Sequence, residues 1–312
     1  MKIRSVNVSE KTGTVKTSRP FIELDASGIK GDAHSGDWHR QVSLLGEEAY
    51  RMMDLDPMEF PFGSFAENIT TAGNPDERTP DLKHCKPGDR FRCGDILLEV
   101  TQIGKKCHGP GCPVQEKTGN CVMPKEGIFT RVLSGGILKA DDELVYVPKE
   151  YRIAVITLST RAYKGTYEDR SGMELEKMIN HFCLDNNWPL KYSSVLLPDN
   201  AEMLHQELER YIHAGYDMIF TTGGTGIGTS DITIAEVRKV LSKEIPGIME
   251  YIRMKYGSDN PNALLSASLA GVGGNSLIFA LPGSVKAVKE YFTEISRMLK
   301  HMVYMRMGLD VH

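Results

Sequence analysis

The sequence predicts two domains of different class, α/β plus β. The first half reads as a mostly-β barrel or sandwich, and the second as a three-layer α/β domain with a mostly parallel sheet. Three observations carry this. A chain of 312 residues accommodates two domains at about 150 residues each. Up to about Val147 the apolar runs are short and broken by Gly, Pro, Asp and Asn, the pattern of strands and turns. From Tyr151 onward apolar runs alternate with amphipathic helical stretches, which builds a parallel sheet with helices on both faces. The boundary falls between the two patterns, giving 1–148 and 149–312.

In the first half, Phe21–Leu24, Val42–Leu45, Ile96–Val100 and Leu144–Val147 read as strands. Turn signals such as Pro87-Gly88-Asp89 and Gly135-Gly136 separate strands, and Gly46–Met53 reads as a helix. In the second half, Arg152–Leu158 is a continuous apolar strand of the kind buried on both sheet faces. A helix follows, with Leu175, Met178, Ile179 and Phe182 on one face. Tyr192–Leu197 is the second strand; the helix Ala201–His213 carries its apolar stripe at Leu204, Leu208, Tyr211 and Ile212. Asp217–Thr222 is the third strand, Ile232–Leu241 a helix, and Ser276–Leu281 the fourth strand. A long last helix presents Val285, Val288, Phe292, Ile295 and Leu299.

Hydrophobic residues make up 41% and charged residues 25%, with 37 basic against 41 acidic side chains and a net charge of −4. This is globular composition. With no basic excess, neither nucleic acid nor an anionic membrane surface is an expected partner. No apolar run reaches the roughly 18 residues of a spanning helix. The start, MKIRSVNVSEKTG, lacks the apolar core of a signal peptide, so a cytoplasmic location is expected. Six cysteines are too few for a disulfide framework and read as thiols or ligands.

Ligands of open α/β sheets sit beyond the carboxyl ends of the strands. The third strand runs into Thr221-Thr222-Gly223-Gly224-Thr225-Gly226-Ile227-Gly228. Its four glycines let backbone N–H groups approach a phosphate as a nest, ahead of a helix start. No Gly-Lys-Ser/Thr follows, so this is not a P-loop. The other strand ends supply Ser159-Thr160, Asp169-Arg170-Ser171-Gly172, Pro198-Asp199-Asn200, Ser230-Asp231-Ile232-Thr233 and Pro282-Gly283-Ser284. Each also has a plain structural reading. Ser171 with Glu174, Asp199 with Glu202, and Thr233 with Glu236 fit capping boxes, Ser284 fits a helix cap, and Asp169 fits a solvated loop residue. Their convergence on one sheet edge argues for a site.

In order and spacing these stretches, with Glu244-Ile245-Pro246-Gly247, Leu265-Ser266 and Ala270-Gly271, resemble the MogA/MoaB-type molybdopterin adenylyltransferase family over Tyr151–Asp310. The resemblance implies Mg²⁺-dependent transfer of AMP from ATP to molybdopterin, a homotrimer, and hand-over of product to a molybdate-inserting enzyme. It implies Asp199 and Asp231 as catalytic and Mg²⁺-binding residues. Asp169, Ser171, Gly172, Thr222, Gly223, Gly224, Thr225, Gly226, Thr233, Ser266, Pro282, Gly283 and Ser284 are implied to bind the substrates. The chain departs from the family at Thr160 (usually Asp), Ser230 (usually Arg), Ile234 (usually Pro) and Ala267 (usually Arg). Two absent arginines remove bidentate phosphate donors, which leaves a non-catalytic molybdopterin carrier or storage protein as the second reading.

The first half carries Gly28-Ile29-Lys30-Gly31-Asp32-Ala33-His34, Arg40-Gln41-Val42-Ser43-Leu44, Gly63-Ser64-Phe65-Ala66-Glu67-Asn68-Ile69-Thr70-Thr71 and Gly104-Lys105-Lys106-Cys107-His108. These are turn and charged residues at strand ends, suited either to an anion pocket or to solvated turns. They resemble the MOSC domain over Lys2–Val147, which implies a β-barrel-like fold, cofactor binding and a sulfur-carrying cysteine matched by Cys107. Lys105 and Lys106 would favour its thiolate. Alternatively Cys107, His108, Cys112 and Cys121 form a metal-ligand set, although the usual Cys-x2-Cys knuckle is missing.

Overall fold

The computed structural model describes residues 1–54, 58–72, 82–106, 112, 116, 119 and 121–309. The chain forms two compact units, Met1–Lys149 with the described residues after Arg306, and Glu150–Arg306.

The first unit is mostly β. Its strands are β1 Ile3–Val8, β2 Thr17–Arg19, β3 Phe21–Asp25, β4 Gly28–Ile29, β5 Val42–Gly46, β6 Ile69–Thr71, β7 Arg90–Cys93, β8 Ile96–Ile103, β9 Ile128–Ser134, β10 Gly136–Lys139 and β11 Val145–Val147. Eight of them form one curled half-barrel sheet in the order β11-β7-β8-β9-β5-β6-β1-β2, and β10-β3-β4 form a second sheet. Alternate residues such as Ile3, Val42, Leu44, Ile69, Leu98 and Val100 fill the core, the period of a half-buried strand. Two short helices, α1 Glu48–Met52 and α2 Met123–Glu126, complete the described elements of this unit apart from one turn of 3₁₀ helix.

The second unit is a three-layer α/β sandwich. Its strands are β12 Tyr151–Leu158, β13 Leu190–Leu197, β14 Met218–Thr222, β15 Lys243–Glu244, β16 Leu269–Gly273 and β17 Ser276–Leu281, in sheet order β13-β12-β14-β17-β16-β15. Its helices are α3 Thr160–Tyr163, α4 Arg170–Asp185, α5 Ala201–His213, α6 Thr233–Val240, α7 Pro246–Gly257 and α8 Val285–Arg306. The first four strands are parallel, as the sequence predicts. The sheet continues through β16, antiparallel to β17, and then β15, antiparallel to β16; the sequence reading lacks both, as it lacks α7. On one face Ala154, Ile156, Ile219 and Ile278 pack on Leu204, Leu208 and Val237 of α5 and α6. On the other, the Phe220 and Phe279 rings stack at 5.0 Å, and Phe292 of α8 meets Phe220 at 5.7 Å.

Strand register places the candidate residues. Leu158 pairs with Leu197, Thr157 with Thr222, and Thr222 with Leu281. Four parallel strands therefore end level, and the segments that leave them lie side by side at the carboxyl edge. Among the described residues, no helix is long and apolar enough to cross a membrane.

Candidate functional site

The turn after β14 is held by the carbonyls of Gly223 to Thr225 and by the Gly223 N–H, which donates to the Leu281 carbonyl at 3.1 Å. Gly223 and Gly224 adopt φ of +100° and +63°, a region that glycine enters without penalty. The Gly223 carbonyl accepts from Thr233 Oγ1 at 2.8 Å, the Gly224 carbonyl from Thr233 N–H at 3.1 Å, and the Thr225 carbonyl from Ala267 N–H at 2.9 Å. The N–H groups of Gly224, Thr225 and Gly226 have no acceptor among the described residues. Three orphan donors on adjoining residues are the kind of group from which an anion-binding concavity is built. The turn after β17 lies directly against it: a Cβ on Gly283 would stand 3.1 Å from the Gly223 Cα, and one on Gly223 would stand 2.3 Å from the Leu158 carbonyl oxygen.

Two aspartates stand beside this turn. Asp199 Oδ2 accepts from Thr160 Oγ1 at 2.6 Å and from Thr160 N–H at 3.1 Å, and Asp199 N–H donates to Thr160 Oγ1 at 3.0 Å. Asp231 Oδ2 accepts from Gly228 N–H at 2.8 Å. Each carboxylate thus commits one oxygen to the protein; the Oδ1 atoms make no hydrogen bond among the described residues.

The capping expectations divide. Asn200, not Asp199, caps α5 by accepting from Met203 N–H, which leaves Asp199 for the cleft. Asp169 is not a solvated loop residue: it caps α4 by accepting from Gly172 N–H at 2.8 Å. Ser171 lies inside the first turn of α4 and donates to Asp169 at 3.2 Å. Thr233 opens α6 with no side-chain cap and spends its hydroxyl on Gly223. Ser284 accepts from Ala287 N–H at 3.2 Å, the expected cap.

A cleft of about 820 Å³ joins these groups. Asp199, Asp231, Gly223 to Gly226, Asp169, Ser171, Ser266 and Pro282 to Ser284 line it. Gly172, Thr222 and Thr233 do not. Thr222 and Thr233 are buried and act as braces, Thr222 through a 3.0 Å bond to the Pro282 carbonyl. The cleft wall also holds Arg161, which the sequence reading passed over, and Arg170, to which it gave no role of its own. The Arg161 guanidinium lies 5.3 Å from the Tyr167 ring centroid, and Arg170 meets Glu168 at 3.2 Å. Their signal was present: each directly follows a residue already singled out.

The first unit places its motif residues in a buried polar network. Asp32 Oδ2 accepts from Lys16 Nζ at 2.5 Å, Asn68 Nδ2 at 3.0 Å and Ser9 N–H at 3.1 Å, with both charged side chains at most 1% exposed. His34 Nδ1 lies 3.2 Å from Asp32 Oδ1 and 3.2 Å from Lys16 Nζ. Burial alone would raise the Asp32 pKa; the His34 hydrogen bond and the Lys16 charge outweigh it and hold the carboxyl well below its ordinary value. Burial likewise pushes the Lys16 ammonium down and the Glu67 carboxyl up. Glu67 Oε1 takes hydrogen bonds from Tyr50 at 2.6 Å, Gly63 at 2.7 Å and Thr70 at 2.8 Å. Cys107 and His108 lie outside the described residues, so the thiol and four-ligand readings rest on sequence alone. Among the described residues no group of three His, Cys, Asp or Glu side chains could hold a metal.

Residues 154–301 match the family described as a probable molybdopterin binding domain, and residues 31–145 match the MOSC domain. A molybdopterin adenylyltransferase of Helicobacter pylori is 32% identical over 157 residues, 50% of this chain and 88% of that protein. The Drosophila melanogaster molybdenum cofactor synthesis protein cinnamon is 36% identical over 158 residues, 50% of this chain and 26% of that protein. The chain thus spans about a quarter of the Drosophila relative. A solved molybdopterin biosynthesis enzyme, MoaB from Thermus thermophilus, superposes with a TM-score of 0.46 at 29% identity, covering 52% of this chain and 99% of that one.

Proposed function

We propose that this chain, which belongs to the MogA/MoaB molybdopterin-binding family and carries a MOSC domain ahead of that unit, transfers AMP from ATP to the terminal phosphate of molybdopterin in the Glu150–Arg306 unit. The observation that carries this reading is the meeting, in one cleft, of three turn amides unpaired among the described residues and two aspartates with one oxygen engaged. A cleft of about 820 Å³ is within the usual range for small-molecule sites.

The chemistry follows from the donor set. A terminal phosphate oxygen of molybdopterin attacks the α-phosphorus of ATP; the new P–O bond forms as the bond to pyrophosphate breaks. The barrier lies mainly in crowding negative oxygens together, so fixed positive groups do most of the catalysis. The amides of Gly224 to Gly226 hold phosphate oxygens without moving. Arg161 and Arg170 add charge on the same wall. The uncommitted oxygens of Asp199 and Asp231 are hard donors of the kind Mg²⁺ takes, and bound Mg²⁺ would neutralise the phosphates. Ser230 and Ala267 contribute no cation, so Arg161 and Arg170 take on that task here.

Full-length protein incubated with ATP, Mg²⁺ and molybdopterin should yield adenylylated pterin and pyrophosphate in equal amounts. Tight pterin binding without either product would instead establish the carrier reading. The MOSC unit, in this reading, binds the same pterin cofactor or carries sulfur on Cys107, and intact-mass measurement of a persulfide lost in Cys107→Ser tests the latter.

A further inference from the structure

We propose that Thr160 is a positioning residue for Asp199 which limits that corner of the cleft to one free carboxylate oxygen, so that a divalent cation binds there only together with the nucleotide's phosphates. The inference rests on the adenylyl-transfer reading and deepens it. Thr160 and Asp199 follow β12 and β13, whose last residues Leu158 and Leu197 are paired in register. Three hydrogen bonds of 2.6, 3.0 and 3.1 Å close a ring between the two residues. That ring fixes the carboxylate, and both donors fall on Oδ2. A hydroxyl can donate and accept at once, so threonine satisfies both the Asp199 amide and its carboxylate. An acidic side chain at 160 would accept but, ionised, could not donate; it would repel Asp199 and invite a metal to bridge the pair.

Asp231, on the same cleft, also has Oδ2 engaged, by Gly228 N–H. Asp199 and Asp231 therefore offer one oxygen each without a hydrogen bond among the described residues, from separate loops, beside the Glu168 and Asp169 carboxylates of the same lining. Ca²⁺ and Mg²⁺ need six or more oxygen ligands, and Mg²⁺ sites of this sparse kind are completed by substrate phosphates. The cation therefore enters as the nucleotide complex.

Mn²⁺ titrated into the full chain and followed by electron paramagnetic resonance tests this. Wild type should bind Mn²⁺ weakly alone and about tenfold more tightly with a non-hydrolysable ATP analogue. Thr160→Asp should gain nucleotide-free Mn²⁺ affinity by about tenfold. Thr160→Val should lose about tenfold in Mn²⁺ retention with the analogue present, at unchanged metal-free analogue affinity and unchanged unfolding midpoint, while Thr160→Ser behaves as wild type. Tight Mn²⁺ binding by nucleotide-free wild type, or wild-type Mn²⁺ retention in Thr160→Val, overturns the role of Thr160 and leaves adenylyl transfer standing. No Mn²⁺ retention by any variant with the analogue overturns both.

Discussion

Thr233 hangs the glycine turn from the start of α6: its hydroxyl donates to the Gly223 carbonyl at 2.8 Å, and its amide donates to the Gly224 carbonyl at 3.1 Å. Thr233 is fully buried. Thr233→Val keeps the shape and the amide bond but leaves the Gly223 carbonyl without its side-chain partner. Stability should fall by about 1–3 kcal/mol in urea unfolding. KM for ATP should rise, because the amides of the turn lose their fixed direction. A variant with wild-type midpoint and KM would show that the amide bond alone holds the turn.

Asp231→Asn retains an oxygen to accept from Gly228 N–H while removing the charge. The fold should be kept, with stability within about 0.5 kcal/mol of wild type. The rate of adenylylated-pterin formation should drop by about a hundredfold or more. Rate and midpoint measured on the same preparation separate the two effects.

Arg161 and Arg170 stand on the cleft wall in a chain that has Ser230 and Ala267. If they are the phosphate-binding cations, Arg161→Ala and Arg170→Ala should each weaken ATP binding by about tenfold, and the double variant by more. Isothermal titration with ATP reads this directly. Lysine at either position should restore only part of the affinity, because an ammonium lacks the planar fork. Unchanged binding in the double variant would assign phosphate recognition to backbone amides alone.

The Lys16–Asp32 pair should make its own contribution to stability fall in acid. The Asp32 carboxyl is held below its ordinary pKa, so the unfolded chain takes up this proton first. The pair's contribution is complete above the ordinary aspartate range and is lost as pH falls through about 4 and below. Urea midpoints of wild type should therefore fall between about pH 6 and pH 3 more than those of Asp32→Asn. At neutral pH that variant leaves the Lys16 ammonium buried without its counter-charge and should lose about 3–5 kcal/mol. Parallel midpoint curves for the two proteins would remove Asp32 as a source of acid sensitivity.

Local pattern made part of this architecture legible. Arg152–Leu158 reads as a strand buried on both faces because no polar alternation interrupts it, and it is the second strand of the six-stranded sheet. Leu269–Gly273 escaped because two glycines and an alanine carry no strand signal. It is a strand because Leu269 to Gly273 pair with Ala280 back to Ser276, and a Cβ on Gly271 would meet the Lys243 carbonyl at 2.6 Å. The helix Pro246–Gly257 starts with a proline at its first position, a signal that was readable. At Asp199-Asn200 either side chain could cap, and sequence cannot choose. Thr160, reached only through the parallel pairing of β12 with β13, engages Asp199 and leaves the cap to Asn200. Lys16 carried no periodic signal, and its partner Asp32 comes from a distant turn.

The contact between Gly283 and Gly223 bears on how this pocket can diversify. Main chain meets main chain there, so a side chain at 283 would press on the glycine turn. Change in what this cleft accepts is therefore more open at exposed Tyr167, Ile227 and Leu265, whose side chains can vary without disturbing the contact between the two glycines.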